Sequence, residues 1–207
     1  FLEEQLKTHL LTEACAAATR WPDNISVAVN VSSIQFEDGG FCAVVERALA
    51  ASGLSASRLE LEITETVLLQ NEDLIIGRMN KLRNLGVKIS LDDFGIGYSS
   101  LNYLRKYPFD KVKIDQSFVR EPYADEGAHE IVEAVAKLGS AFGMTVLAEG
   151  VETPEQLARI QLKGCSSAQG YILSPPMAED QILGYLETSP DSIQKEQRRA
   201  AETRSTL

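Results

Sequence analysis

The chain has 207 residues, 44% hydrophobic and 24% charged, which fits one globular domain with a sizeable core and excludes a disordered chain, a collagen or a disulfide miniprotein. Thirty acidic against twenty basic residues leave a net charge of −10, which disfavours a large face for DNA or RNA polymers but not a small phosphate-bearing ligand neutralised locally by metal ions or a few cations. Three scattered cysteines (Cys15, Cys42, Cys165) suit a reducing compartment, two histidines exclude an imidazole-rich metal site, and no stretch approaches the roughly 20 apolar residues of a membrane span or resembles a secretory leader.

In chain order, apolar residues at 2, 6, 10, 11, 14 and 18 predict a helix over 2–19. A strand follows at 26–32 (SVAVNVS), then a helix at 41–51 after Gly39-Gly40. The next strand is 59–64 (LELEIT), and a helix at 73–85 stops at Gly86. Strands at 88–94 (KISLDDF) and 111–115 (KVKID) precede a helix at 128–142 that stops at Gly143. A strand at 145–150 (TVLAEG) leads into a helix over 155–163, opened by Pro154 and closed by Gly164. A less distinct strand at 167–173 and a helix at 178–186 complete the pattern. Residues 1–187 form the expected domain. Residues 188–207 read as a polar tail, expected to be poorly ordered.

Repeated β–α units imply a parallel sheet with crossover helices, either doubly wound and open or closed as a (β/α) barrel. The strand ends separate the two. Asn30, Glu62, Asp92 with Asp93, Asp115 and Glu149 stand at successive C-terminal ends, and Gln169 comes early in the sixth run. A barrel gathers these ends at one mouth. No GxGxxG or GxxxxGK[ST] loop follows a strand, which weakens the open nucleotide-binding alternative.

Any one strand-end acid has an ordinary reading as a helix cap or a solvated loop residue, and Asn30 as a turn residue. Recurrence at the same place in successive repeats points instead to shared chemistry. Asn, Glu and Asp are hard oxygen donors, suited to Mg²⁺ or Mn²⁺. Two such ions about 4 Å apart polarise a phosphoryl group and activate water. Adjacent Asp92 and Asp93 reach one site only if their strand bends or ends there, because strand neighbours point to opposite faces. Lys113, between Val112 and Ile114, is either a snorkelling surface lysine or a buried one that requires partners. Gly95-Ile96-Gly97-Tyr98 reads as a turn or as a mobile loop over the site.

At these residues the sequence resembles the EAL family of cyclic di-GMP phosphodiesterases. The matching segments are Asn30-Val31-Ser32, Glu62-Ile63-Thr64-Glu65, Asp92 through Ser100, Lys113-Ile114-Asp115, Ala148 through Glu152 and Gln169-Gly170-Tyr171, in the family's order and spacing. The resemblance implies an α/β fold, a modified (β/α)8 TIM-like barrel, with about six of its eight strands in this chain. It implies hydrolysis of cyclic di-GMP to linear pGpG with two Mg²⁺ or Mn²⁺ ions. Asn30, Glu62 and Asp92 resemble ligands of one ion, and Asp92, Asp93 and Glu149 ligands of the other. Lys113 resembles the lysine that positions the catalytic water. Glu152 matches a further catalytic position, and Gln169 and Asp115 match substrate-binding positions. Glu65 resembles the glutamate that anchors the loop 93–100, which in this family couples dimerisation to the site. Ile96 stands where that loop usually has threonine.

The family's Glu-Ala-Leu triplet, whose glutamate is a metal ligand, does not occur before Asn30. Three readings stay open: upstream residues outside this chain, strands borrowed from a partner, or a degenerate barrel with weakened hydrolysis. The expected partners are cyclic di-GMP, a second copy of the chain, and an upstream sensor or GGDEF domain. The expected location is the cytoplasm, with a membrane anchor elsewhere in the protein still compatible. The alternatives to an enzyme are a non-catalytic cyclic di-GMP receptor and an inert dimerisation scaffold.

Overall fold

The computed structural model describes residues 2–69, 71–96, 101–120 and 126–188. In chain order the elements are α1 (Leu2–Ala18), β1 (Val27–Val31), α2 (Ser33–Glu37), α3 (Phe41–Ser52), β2 (Leu59–Thr64), α4 (Glu72–Asn84), β3 (Lys88–Phe94) and α5 (Leu101–Lys106). They continue with β4 (Lys111–Ile114), α6 (Ser117–Arg120), α7 (Glu126–Ala141), β5 (Thr145–Ala148), α8 (Pro154–Leu162), β6 (Ser167–Ala168) and α9 (Glu179–Thr188). The six strands are all parallel and stand in the order β1-β2-β3-β4-β5-β6. Strand order that follows chain order without reversing is the winding of a (β/α) barrel. A doubly wound sheet would reverse at a switch point.

The register sorts the side chains by face. Val31, Ile63, Leu91, Val112 and Val146 are successive partners across β1 to β5. All five are buried, on the face that packs against the helices. Burial of each such side chain contributes roughly 1.5–3 kcal/mol. The row one residue earlier is Asn30, Glu62, Ser90, Lys111 and Thr145, polar from end to end. The opposite face of the sheet is therefore built for polar groups, and the site lies on it.

The long helices and the first five strands lie where the sequence places them. The start of α8 follows the prediction closely: Pro154 is its first residue, and Thr153 and Gln156 form a reciprocal capping box. The sixth strand is the main difference, two residues rather than the seven expected. The N–H groups of Leu173 and Ser174 both reach Gly170 O, at 3.0 and 3.3 Å, which turns the chain away from the ladder. The short helices α2, α5 and α6 were not anticipated, being too short to show a period. The polar tail over 189–207 lies outside the described residues.

Arg58, just before β2, ties the α1–β1 connection to the sheet. Its Nε donates to Ile25 O at 2.8 Å, and its Nη2 to Ala18, Trp21 and Pro22 carbonyls at 2.7, 3.2 and 3.1 Å. Asp23 pairs with it at 3.3 Å. Arg58→Ala is expected to cost about 3 kcal/mol, because several partly buried carbonyls lose a charged donor at once. Urea denaturation checks this as a lower midpoint at unchanged slope. Arg58→Lys should recover less than half, since one ammonium cannot reproduce the guanidinium fork.

Candidate metal centre

Lys113 is the hub of the site. Its side chain is 4% exposed, and its Nζ lies 2.9 Å from Glu62 Oε2, 2.8 Å from Asp92 Oδ1 and 2.8 Å from Glu149 Oε1. The contact with Glu62 is a directed hydrogen bond. Asp92 Oδ1 is buried with no donor aligned on it, so its contact with Lys113 is ionic. Burial alone would lower the Lys113 pKa; the surrounding carboxylates outweigh it and raise it well above the usual lysine value. Of the two readings of this lysine, the buried one with partners is correct.

The pair Asp92–Asp93 meets its geometric requirement. Asp93 has φ 53°, in the left-handed region, and the β3–β4 register shifts between Leu91 and Phe94. The strand bulges there, so the two carboxylates no longer alternate across the sheet. Oxygens of Asp92, Asp93 and Glu149 all lie within 4.8 Å of one another. Glu62 and Asp92 are joined through the same lysine nitrogen, and Asn30 is the register partner of Glu62 on β1. Asn30 and Asp93 are exposed, Glu149 half-buried, and Glu62 and Asp92 buried.

Burial pushes the Glu62 and Glu149 carboxyls upward, partly offset by Lys113. Burial also raises Asp93, reinforced by the charges of Asp92 and Asp115. One lysine thus serves a larger group of acids that repel one another, which is the condition a divalent cation relieves. The donors are all oxygens, and their spacing fits ligands at roughly 2.0–2.6 Å from a shared ion. The residues present therefore fit Mg²⁺ or Mn²⁺. Protons should compete with the metal at a pH above the ordinary carboxylate range.

The remaining predicted residues surround this centre. Asp115 is buried, and its Oδ1 accepts the Ser117 N–H at 2.8 Å, so it organises the start of α6. Glu152 is exposed and paired with Arg120, a partner not anticipated from the sequence. Gln169 is exposed; its N–H donates to Ala148 O at 2.9 Å and its carbonyl accepts from Val151 at 3.0 Å. Glu65 begins the 3-10 turn Glu65–Leu69 and is half-buried. Residues 97–100 of the loop it was expected to anchor lie outside the described residues.

Gly150 controls how closely the two loops beside Lys113 and Glu149 approach. It has φ 66°, and a Cβ there would lie 2.4 Å from Gln116 Cβ. Gly150→Ala is expected to separate the β4–α6 and β5–α8 loops and weaken Mn²⁺ binding at least about tenfold, the scale of disturbing groups that orient ligands. Titration calorimetry checks it; unchanged affinity would show that the contact does not matter.

The EAL domain family model matches residues 1–176. An uncharacterized protein of Sinorhizobium fredii is 43% identical over 179 residues, 86% of this chain and 22% of the relative. The bifunctional diguanylate cyclase/cyclic di-GMP phosphodiesterase MucR of Pseudomonas aeruginosa is 38% identical over 183 residues, 86% of this chain and 27% of that protein. The c-di-GMP complex of the PaMucR phosphodiesterase superposes with a TM-score of 0.83 at 38% identity, covering 88% of this chain and 75% of that one. A manganese/c-di-GMP complex of Klebsiella pneumoniae BlrP1 gives a TM-score of 0.78 at 30% identity, over 85% and 45% of the two chains. This chain belongs to the EAL domain family, and its fold is that family's TIM-like barrel architecture. It spans about a quarter of the length of these curated relatives. Among the described residues, no helix is long and apolar enough to cross a membrane.

Proposed function

We propose that this chain is the catalytic domain of a metal-dependent phosphodiesterase that hydrolyses cyclic di-GMP to linear pGpG. The observation that carries the reading is the convergence of Asp92, Asp93 and Glu149 oxygens within 4.8 Å, beside a buried, charged lysine. Asn30, Glu62 and Asp92 would hold one Mg²⁺ or Mn²⁺, and Asp92, Asp93 and Glu149 the other. When bound, such ions lower the pKa of water and polarise a phosphodiester.

Lys113 keeps Glu62, Asp92 and Glu149 gathered before an ion arrives, and its ammonium orients the attacking water by hydrogen bonding. Gln169 and Asp115 contribute to the nucleotide-binding rim, and Glu152 to the catalytic group. Glu65 anchors the loop 93–100. The assignment extends to residues 1–187 as the domain. It includes a homodimer, a cytoplasmic location, and an upstream sensor or GGDEF domain in the full-length protein.

The test is incubation of the full-length protein with cyclic di-GMP and Mg²⁺ or Mn²⁺, with products separated by chromatography. The expected product is pGpG, lost on adding EDTA and regained with excess metal. Binding of cyclic di-GMP that persists in chelator, with no pGpG in either metal, would identify a receptor instead.

A further inference from the structure

The polar face of the sheet carries a second charged tier, one step below the metal centre. Lys111 Nζ lies 2.6 Å from Glu60 Oε2. This bridge runs from β2 to β4 and so passes over β3, where Ser90 is the register partner of Lys111. Glu60 is 4% exposed and Ser90 0%. The second carboxylate oxygen, Glu60 Oε1, and the hydroxyl, Ser90 Oγ, are both buried without a hydrogen-bond partner among the described residues. Buried polar atoms in folded proteins are almost always satisfied, by protein groups or by ordered water.

We propose that one ordered water molecule is bound between Glu60 Oε1 and Ser90 Oγ. It donates one hydrogen bond to the carboxylate and shares a second with the hydroxyl. Two observations select a neutral donor. Lys111 already balances the Glu60 charge, and Lys113 follows two residues later on the same strand face, so a metal cation would face two ammonium groups. The lining is polar, which excludes an apolar occupant.

The interior of a typical (β/α)8 barrel is filled instead by layers of branched aliphatic side chains. Here the polar interior continues beneath the site. Glu62 and Asp92 stand two residues beyond Glu60 and Ser90 on β2 and β3, and rest on this hydrated tier. The proposal holds whether or not the chain hydrolyses cyclic di-GMP.

A crystal structure at about 1.5 Å resolution tests it. The expected result is a single density peak about 2.7–3.2 Å from both Glu60 Oε1 and Ser90 Oγ. In Ser90→Val the peak should be lost, and in Ser90→Thr retained. A direct Ser90–Glu60 hydrogen bond with no peak would overturn the proposal. So would a peak with several oxygen contacts near about 2.3–2.6 Å, which would mark a metal cation. The parent protein alone decides these outcomes if the valine variant does not fold.

Discussion

Lys113→Met is expected to lower the thermal midpoint by about 10 °C in metal-free buffer, and added Mn²⁺ should restore most of the loss. Removing one partner of a buried ion pair costs about 3–5 kcal/mol, and a protein of this size loses roughly 2–4 °C per kcal/mol. The Lys113 ammonium is the common partner of Glu62, Asp92 and Glu149, so its removal leaves their charges buried and facing one another. A divalent ion supplies positive charge at the same place and stabilises the folded form by mass action. On the proposed function, turnover should fall even with metal, because the ammonium assigned to orient the attacking water is gone. Scanning calorimetry with and without Mn²⁺ reads the effect. A midpoint that is unchanged, or lowered but insensitive to Mn²⁺, would show that lysine and metal do not share these carboxylates.

The second large effect is expected at Asp93. On the proposed function, Asp93→Asn should reduce kcat at least about 100-fold while weakening cyclic di-GMP binding less than tenfold, because it removes a charge assigned to one ion and leaves the other proposed ligands in place. Asparagine is the informative replacement. The residue has φ 53°, and Asn tolerates the left-handed region better than other side chains, so backbone strain is not introduced along with the charge change. Steady-state kinetics and calorimetry on the same variant separate the two quantities. Equal loss of both would contradict a role confined to the metal.

The sequence carried the strands and the placement of the acids well, for an identifiable reason. Buried parallel strands such as LELEIT are short apolar-rich runs, and polar residues at their ends are easy to see. The requirement that β3 bend at Asp92–Asp93 was also legible, although the form it takes, a left-handed aspartate with a register shift, was not. Lys113 could be narrowed only to two readings, since a lysine between apolar neighbours looks the same whether it snorkels or is buried. Its three carboxylate partners come from β2, from β3 and from just past β5, far apart along the chain.

What the sequence reading missed was mostly non-local. The Glu60–Lys111 pair is signalled by the same alternation that places Glu62 and Lys113, two residues later on each strand. Only the register shows that the two tiers stack. The Arg120–Glu152 pair joins the end of α6 to the β5–α8 loop, with no shared pattern between them. Strand β6 is shorter than the sequence suggests because Tyr171 and Ile172 favour strands, while the turn at Gly170 takes the Leu173 and Ser174 N–H groups out of the ladder.

The most direct test is anomalous diffraction from crystals of the protein soaked in Mn²⁺. The expected map shows one manganese peak in contact with carboxylate oxygens of Asp92, Asp93 and Glu149, and a second in contact with Asn30, Glu62 and Asp92. No peak at these side chains at saturating Mn²⁺, with Lys113 still bound by its three carboxylates, would mean that the cluster is a closed ion-pair network and not a metal centre.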